Sequence, residues 1–132
     1  MFDFFIEGNP VPQGRPRFTG KHAYTPAKSR AWSKYVKQQI MVIKAREKWT
    51  MIEKGIPLRA SFTFILPSPK SSELEYHTTK PDLDNLIKPI KDSMSGLLYH
   101  DDCQIVGYGR VNKRYAEEGE DTGVYVRIDK ES

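Results

Sequence analysis

The chain has 132 residues, 29% of them charged and 38% hydrophobic, which is single-domain size and enough to bury roughly two-thirds of its surface without covalent staples. Its single cysteine, Cys103, excludes an internal disulfide framework, and no apolar run approaches the ~18 residues of a membrane span. The net charge is +4 but unevenly spread: residues 8–46 contain no acid and carry Arg15, Arg17, Lys21, Lys28, Arg30, Lys34, Lys37, Lys44 and Arg46, which suggests a polyanionic partner.

In chain order, Phe2, Phe4 and Ile6 alternate with Asp3 and Glu7 and predict a strand over residues 2–7. The start has no basic region and an early acid, so no secretory signal is expected and the cytoplasm is the expected location. Gly8, Pro10, Pro12 and Gly14 predict a loop running to about Pro26. Trp32, Val36, Ile40 and Ile43 recur at helical spacing and predict a helix over 27–49. Leu58, Ala60, Phe62, Phe64 and Leu66 alternate with Arg59, Ser61, Thr63 and Ile65 and predict a strand. A second helix is expected from Asp82, with Leu83, Leu86, Ile87, Ile90, Met94 and Leu97 as its apolar face. Pro89 lies inside it and should kink it. Residues 103–115 and 123–129 read as a hairpin, Val124, Val126 and Ile128 sharing one face. The fold class is then α/β (α+β): one small domain, a four-stranded mixed sheet with two helices, in the order β-α-β-α-β-β.

Two acidic segments flank the second helix: Asp82-Leu83-Asp84 with Asn85, Leu86 and Lys88, and Asp101-Asp102 after Tyr99 and His100. Carboxylates repel phosphate, and a metal ion between the two would reconcile acids with a basic chain. A site of three or four aspartates without a ring of His or Cys suits Mg²⁺, or Mn²⁺, before zinc. Each residue also has an ordinary reading. Asp82 can cap the helix, Asp84 can favour its dipole, Lys88 can pair on the surface with Asp84, and Asp101 and Asp102 can be turn residues. His100 reads as a loop histidine or as a ligand. Phe18 and Tyr24, among basic residues, can stack on an exposed base or anchor their loop.

Together the two segments resemble the RusA family of Holliday junction resolvases. Asp82-Leu83-Asp84-Asn85-Leu86, then Lys88, then Asp101-Asp102-Cys103-Gln104-Ile105 are similar to the family's motifs in order and separation. The front segment Gly8-Asn9-Pro10-Val11-Pro12-Gln13-Gly14-Arg15-Pro16-Arg17, with Tyr24-Thr25-Pro26, resembles phage members. The resemblance implies a Mg²⁺-dependent endonuclease acting on four-way junctions as a homodimer. By it Asp82, Asp84 and Asp102 are catalytic and metal-binding, their neighbour Asp101 is a fourth candidate metal ligand, and Lys88 is needed for cleavage. Arg15, Arg17, Lys21, Lys28 and Arg30 are the candidate DNA contacts. A flap or general metal nuclease uses the same aspartates. A non-catalytic DNA-binding module leaves them unexplained, and no helix-turn-helix spacing supports one.

Overall fold

The computed structural model describes residues 1–14, 17–19, 22–24, 26–69 and 78–131, with 17–19 and 22–24 described by their backbone. Strand β1 (Phe2–Glu7) buries Phe2, Phe4 and Ile6 and exposes Asp3 and Glu7, as a strand with one wet face does. On that wet face the ring of Phe5 lies 4.5 Å from the ring of Tyr125. Where a loop to Pro26 is expected, the chain instead forms two short antiparallel strands, β2 (Arg17–Thr19) and β3 (His22–Tyr24), in a sheet of their own. Their three-residue length is too short to leave an alternation in the sequence.

Helix α1 (Ala27–Glu47) buries Trp32, Val36, Ile40 and Ile43, the predicted stripe, and leaves Lys28, Lys34 and Lys37 exposed. It ends at Glu47 because Lys48 adopts a left-handed φ of 55°. Trp49 then turns back, its ring 4.7 Å from Phe2 and 5.9 Å from Phe4.

Strand β4 (Leu58–Leu66) follows, then helix α2 (Leu83–Met94), strand β5 (Ile105–Tyr115) and strand β6 (Gly123–Lys130). The sheet order is β1-β6-β4-β5. β6 runs antiparallel to β1 and β4, and β5 runs parallel to β4. The hairpin expected from the last two strands therefore does not form, because β4 lies between them. β4 is apolar on both sides at its C-terminal end, where Phe64, Ile65 and Leu66 are all buried, and such a strand takes the centre of a sheet. The connection over its end is pinned by Ala116 N–H donating to Leu66 O at 2.8 Å. Arg114 grips Glu120 there through two bonds of 2.6 and 2.7 Å.

Parallel pairing of β4 and β5 needs a crossover, and α2 lies in it. Both helices pack into one core with the inward side chains of β1, β4 and β6, among them Phe4, Phe62, Phe64 and Val126. Burial of each large side chain contributes ~1.5–3 kcal/mol. No helix among the described residues is long and apolar enough to cross a membrane.

Candidate active site

Helix α2 begins just after Asp82, whose extended backbone occupies the N-cap position. Its carboxylate makes no capping bond, and Lys80 Nζ lies 3.8 Å away. Pro81 keeps Lys80 out of helical geometry, and the helix is entered at Leu83.

Pro89 does not end α2, whose assignment runs unbroken to Met94. Proline has no N–H to give the carbonyl four residues back, which is that of Asn85. That carbonyl instead accepts Gln13 N–H at 2.7 Å. Ser29 Oγ, buried on α1, holds the next residue: it accepts Gly14 N–H at 3.0 Å and donates to Pro12 O at 3.1 Å. A side chain at Gly14 would meet Pro26 Cγ at 2.8 Å and Ser29 Oγ at 2.9 Å, so the close approach needs glycine. Gln13 and Gly14 are thus held between the first turn of α1 and Asn85 on α2, the neighbour of Asp84.

The other end of α2 solves the distance problem that the sequence poses. A helix of this length separates its ends by about 18 Å, yet the chain doubles back at once. Gly96, at φ 83°, donates its N–H to Tyr99 O at 2.7 Å. The turn Asp102–Gln104 is a capping box, with Asp101 Oδ1 accepting Cys103 N–H at 3.1 Å. Gln104 is buried and uses its amide fully: Oε1 accepts from His100 N and Asp101 N, and Nε2 donates to Glu53 O and Ile56 O, at 2.9–3.1 Å. β5 then runs back along α2. Lys91 Nζ donates to Tyr108 Oη at 2.9 Å, and Lys113 Nζ donates to Thr79 O and Pro81 O at 2.6 and 2.8 Å.

Between α2 and β5 lies an open groove of about 600 Å³. Asp84, Lys88, Lys91, Asp92, Asp102 and Tyr108 bring the polar groups to its walls. Asp84, Lys88 and Asp92 recur at four-residue steps along one face of α2, so Asp84 and Asp92 stand about 12 Å apart. Lys88 pairs with Asp92 at 3.5 Å, not with Asp84 as the surface-pair reading supposes. Asp102 is half-buried and accepts Tyr99 Oη–H at 2.8 Å. Burial of Tyr99, and then its bond to Asp102, push the phenol far above its usual range, so it stays a donor.

The groove therefore gathers Asp84, Asp102 and Lys88 from the predicted set. Asp82 lies one residue before the groove-lining stretch, and Asp101 spends its carboxylate on the turn. His100 is exposed. Lys28 and Arg30 are exposed on the first turn of α1. Arg15 and Lys21 lie outside the described residues, as do the side chains of Arg17, Phe18 and Tyr24. Sequence reasoning gave no site role to Asp92, Lys91, Tyr108 or Tyr99, and named Gln104 only as part of a motif. Asp92 is readable, since it follows Lys88 by four and Asp84 by eight on one helix face. Among the described residues no three carboxylate, histidine or cysteine groups converge closely enough to hold an ion. The oxygen donors fit a hard divalent ion that takes one or two carboxylates and fills its shell with water and substrate oxygens, the habit of Mg²⁺.

The family described as endodeoxyribonuclease RusA matches residues 7–129. Two relatives are similar over most of the chain. A Bacillus subtilis (strain 168) protein named "Uncharacterized protein YqaN" is 35% identical over 127 residues, covering 87% of this chain and 88% of that one. A Lactococcus phage r1t protein named "Crossover junction endodeoxyribonuclease rusA" is 35% identical over 111 residues, covering 80% and 81%. The chain belongs to the RusA endodeoxyribonuclease family, and is by that membership a hydrolase of phosphodiester bonds in DNA.

Proposed function

We propose that this chain resolves four-way DNA junctions as a homodimer in cytoplasmic recombination and repair, using a divalent cation, Mg²⁺ or Mn²⁺, at the groove between α2 and β5. The observation that carries the reading is that Asp84 and Asp102, one from each acidic segment, face the same groove as Lys88 and Lys91. The phage relative's name supplies the junction as substrate.

Asp84 and Asp102 are the residues that would hold the ion, with Asp82, two residues before Asp84, as a further candidate ligand. When bound, the ion would stabilise the negative charge developing on the phosphate oxygens and activate water. Lys88 and Lys91 set ammonium groups among these carboxylates. There they balance the acids before substrate arrives and offset phosphate charge in the transition state. Arg15, Arg17 and Lys21, which follow the tethered Gln13 in sequence, are the proposed contacts to the DNA backbone, together with Lys28 and Arg30 on α1. One groove per chain makes one cut. A twofold homodimer, the commonest closed assembly, places two such grooves about the axis that a four-way junction shares.

The test is incubation with a four-way junction, a flap and a linear duplex, with and without Mg²⁺. Paired cuts in the junction that require the ion are expected. Equal cutting of all three substrates makes the protein a general nuclease, and binding without cutting makes it a binding module.

A further inference from the structure

We propose that Tyr99 is a positioning residue, which fixes the Asp102 carboxylate for metal binding and ties it to the last turn of α2; this rests on the reading of Asp102 as a metal ligand. The Tyr99 ring is fully buried in the apolar core, while its hydroxyl reaches the groove wall. That hydroxyl has two acceptors, Asp102 Oδ1 at 2.8 Å and Lys91 O at 3.3 Å. It carries one proton. The shorter bond, to a charged oxygen, is the stronger.

The second acceptor shows that the bond to Asp102 is not needed to satisfy the phenol. A tyrosine placed here for packing alone could give its proton to the Lys91 carbonyl. The Lys91 carbonyl already accepts Ser95 N–H at 3.1 Å, so it does not need the phenol either. The hydroxyl is therefore free to serve Asp102. Asp102 opens a short turn at the groove wall and is half-exposed. Without a partner its carboxylate must be ordered when an ion binds. Tyr99 restrains it beforehand, from a ring that the core holds still. The same hydroxyl touches α2, which carries Asp84 and Lys88, so the two halves of the groove are joined at one atom.

The experiment compares the wild type, Tyr99→Phe, Asp102→Asn and the double variant, first in DNA-free Mn²⁺ binding followed by the signal of the free ion, then in junction cleavage against Mn²⁺ concentration. Tyr99→Phe keeps the ring and leaves the Lys91 carbonyl its bond from Ser95, so the fold is retained, and thermal unfolding checks it. Partners of metal ligands typically set affinity by 10–100-fold. Tyr99→Phe is expected to weaken Mn²⁺ binding about tenfold or more and to raise the Mn²⁺ needed for half-maximal cleavage by a similar factor. In the Asp102→Asn background it should add nothing. Unchanged Mn²⁺ binding by Tyr99→Phe, where Asp102→Asn loses it, overturns the role of Tyr99 alone. An equal loss in both backgrounds makes Tyr99 a packing residue and also overturns it. Wild-type binding and cleavage by Asp102→Asn would remove the Asp102 assignment itself, and the role of Tyr99 with it.

Discussion

Gln104→Ala tests how the site is held. Gln104 is 5% exposed, and its side chain makes four hydrogen bonds, two accepted from the backbone of His100 and Asp101 and two donated to the carbonyls of Glu53 and Ile56. They join the turn carrying Asp102 to the loop before β4. Each such bond contributes a net ~1 kcal/mol, and a buried group left unpaired costs ~1–3 kcal/mol. Part of the space vacated by truncation admits water, so a loss of about 3–5 kcal/mol is expected. Total domain stability is of order 5–15 kcal/mol, and at a few degrees per kcal/mol the melting temperature should fall by roughly 10–20 °C. Gln104→Glu keeps both acceptor bonds but sets a carboxylate oxygen against two carbonyls, so it should be no better tolerated. Denaturant unfolding followed by tryptophan fluorescence and circular dichroism measures both variants. A Gln104→Ala protein within about 1 kcal/mol of wild type would refute the reasoning and show that the turn holds itself.

Further outcomes follow from the same geometry. Hydrogen bonding to Arg114 lowers the Glu120 carboxyl from 4.5 to about 2, so its stabilising effect is complete above the unfolded value and fades as pH falls from about 4.5 towards 2. Glu120→Gln should be less stable than wild type at neutral pH, with the gap in denaturant midpoint narrowing through that window; a gap undiminished between about pH 5 and pH 2 refutes the pairing. Arg15→Ala and Arg17→Ala should each weaken junction binding and flatten the slope of log K against log salt by ~0.9 per lost phosphate contact, whereas an unchanged slope turns the front segment away from DNA. Light scattering should give a mass near twice 15.2 kDa, and a junction held in a supercoiled plasmid should yield mainly linear product. A monomeric mass with full activity, or nicked circles alone at early times, removes the paired-cut mechanism.

The strands and helices were legible wherever one face is buried and the other wet. Phe2, Phe4 and Ile6 in β1 and Leu58 to Leu66 in β4 alternate because the helices cover one side of the sheet, and Trp32 to Ile43 repeat at 3.6 because α1 lies on it. Which strand pairs with which was not legible. β5 and β6 are joined by a short acidic link, as hairpin strands are, and side-chain period carries no record of a third strand inserted between them. The motif residues Asp84 and Asp102 could be named from sequence, but not how they meet. That depends on Gly96, on the clamp of Gln104 and on β5 lying back along α2, none of which is periodic. Pro89 reads as a helix breaker; its missing N–H leaves the Asn85 carbonyl to Gln13, a use visible only with the front segment in place.

The groove between α2 and β5 is tested most directly by cleavage and binding of one four-way junction by Asp84→Asn and Asp102→Asn, measured in Mg²⁺ under single-turnover conditions. Loss of a ligand removes part of a metal effect worth several kcal/mol, and each ~1.4 kcal/mol is tenfold in rate, so each variant should cut at least a hundredfold more slowly. Removal of a negative charge leaves phosphate attraction intact, so both should bind the junction as tightly as wild type or tighter. Cleavage at near wild-type rates by either variant, or loss of cleavage that merely follows loss of binding, would contradict the groove as the active centre.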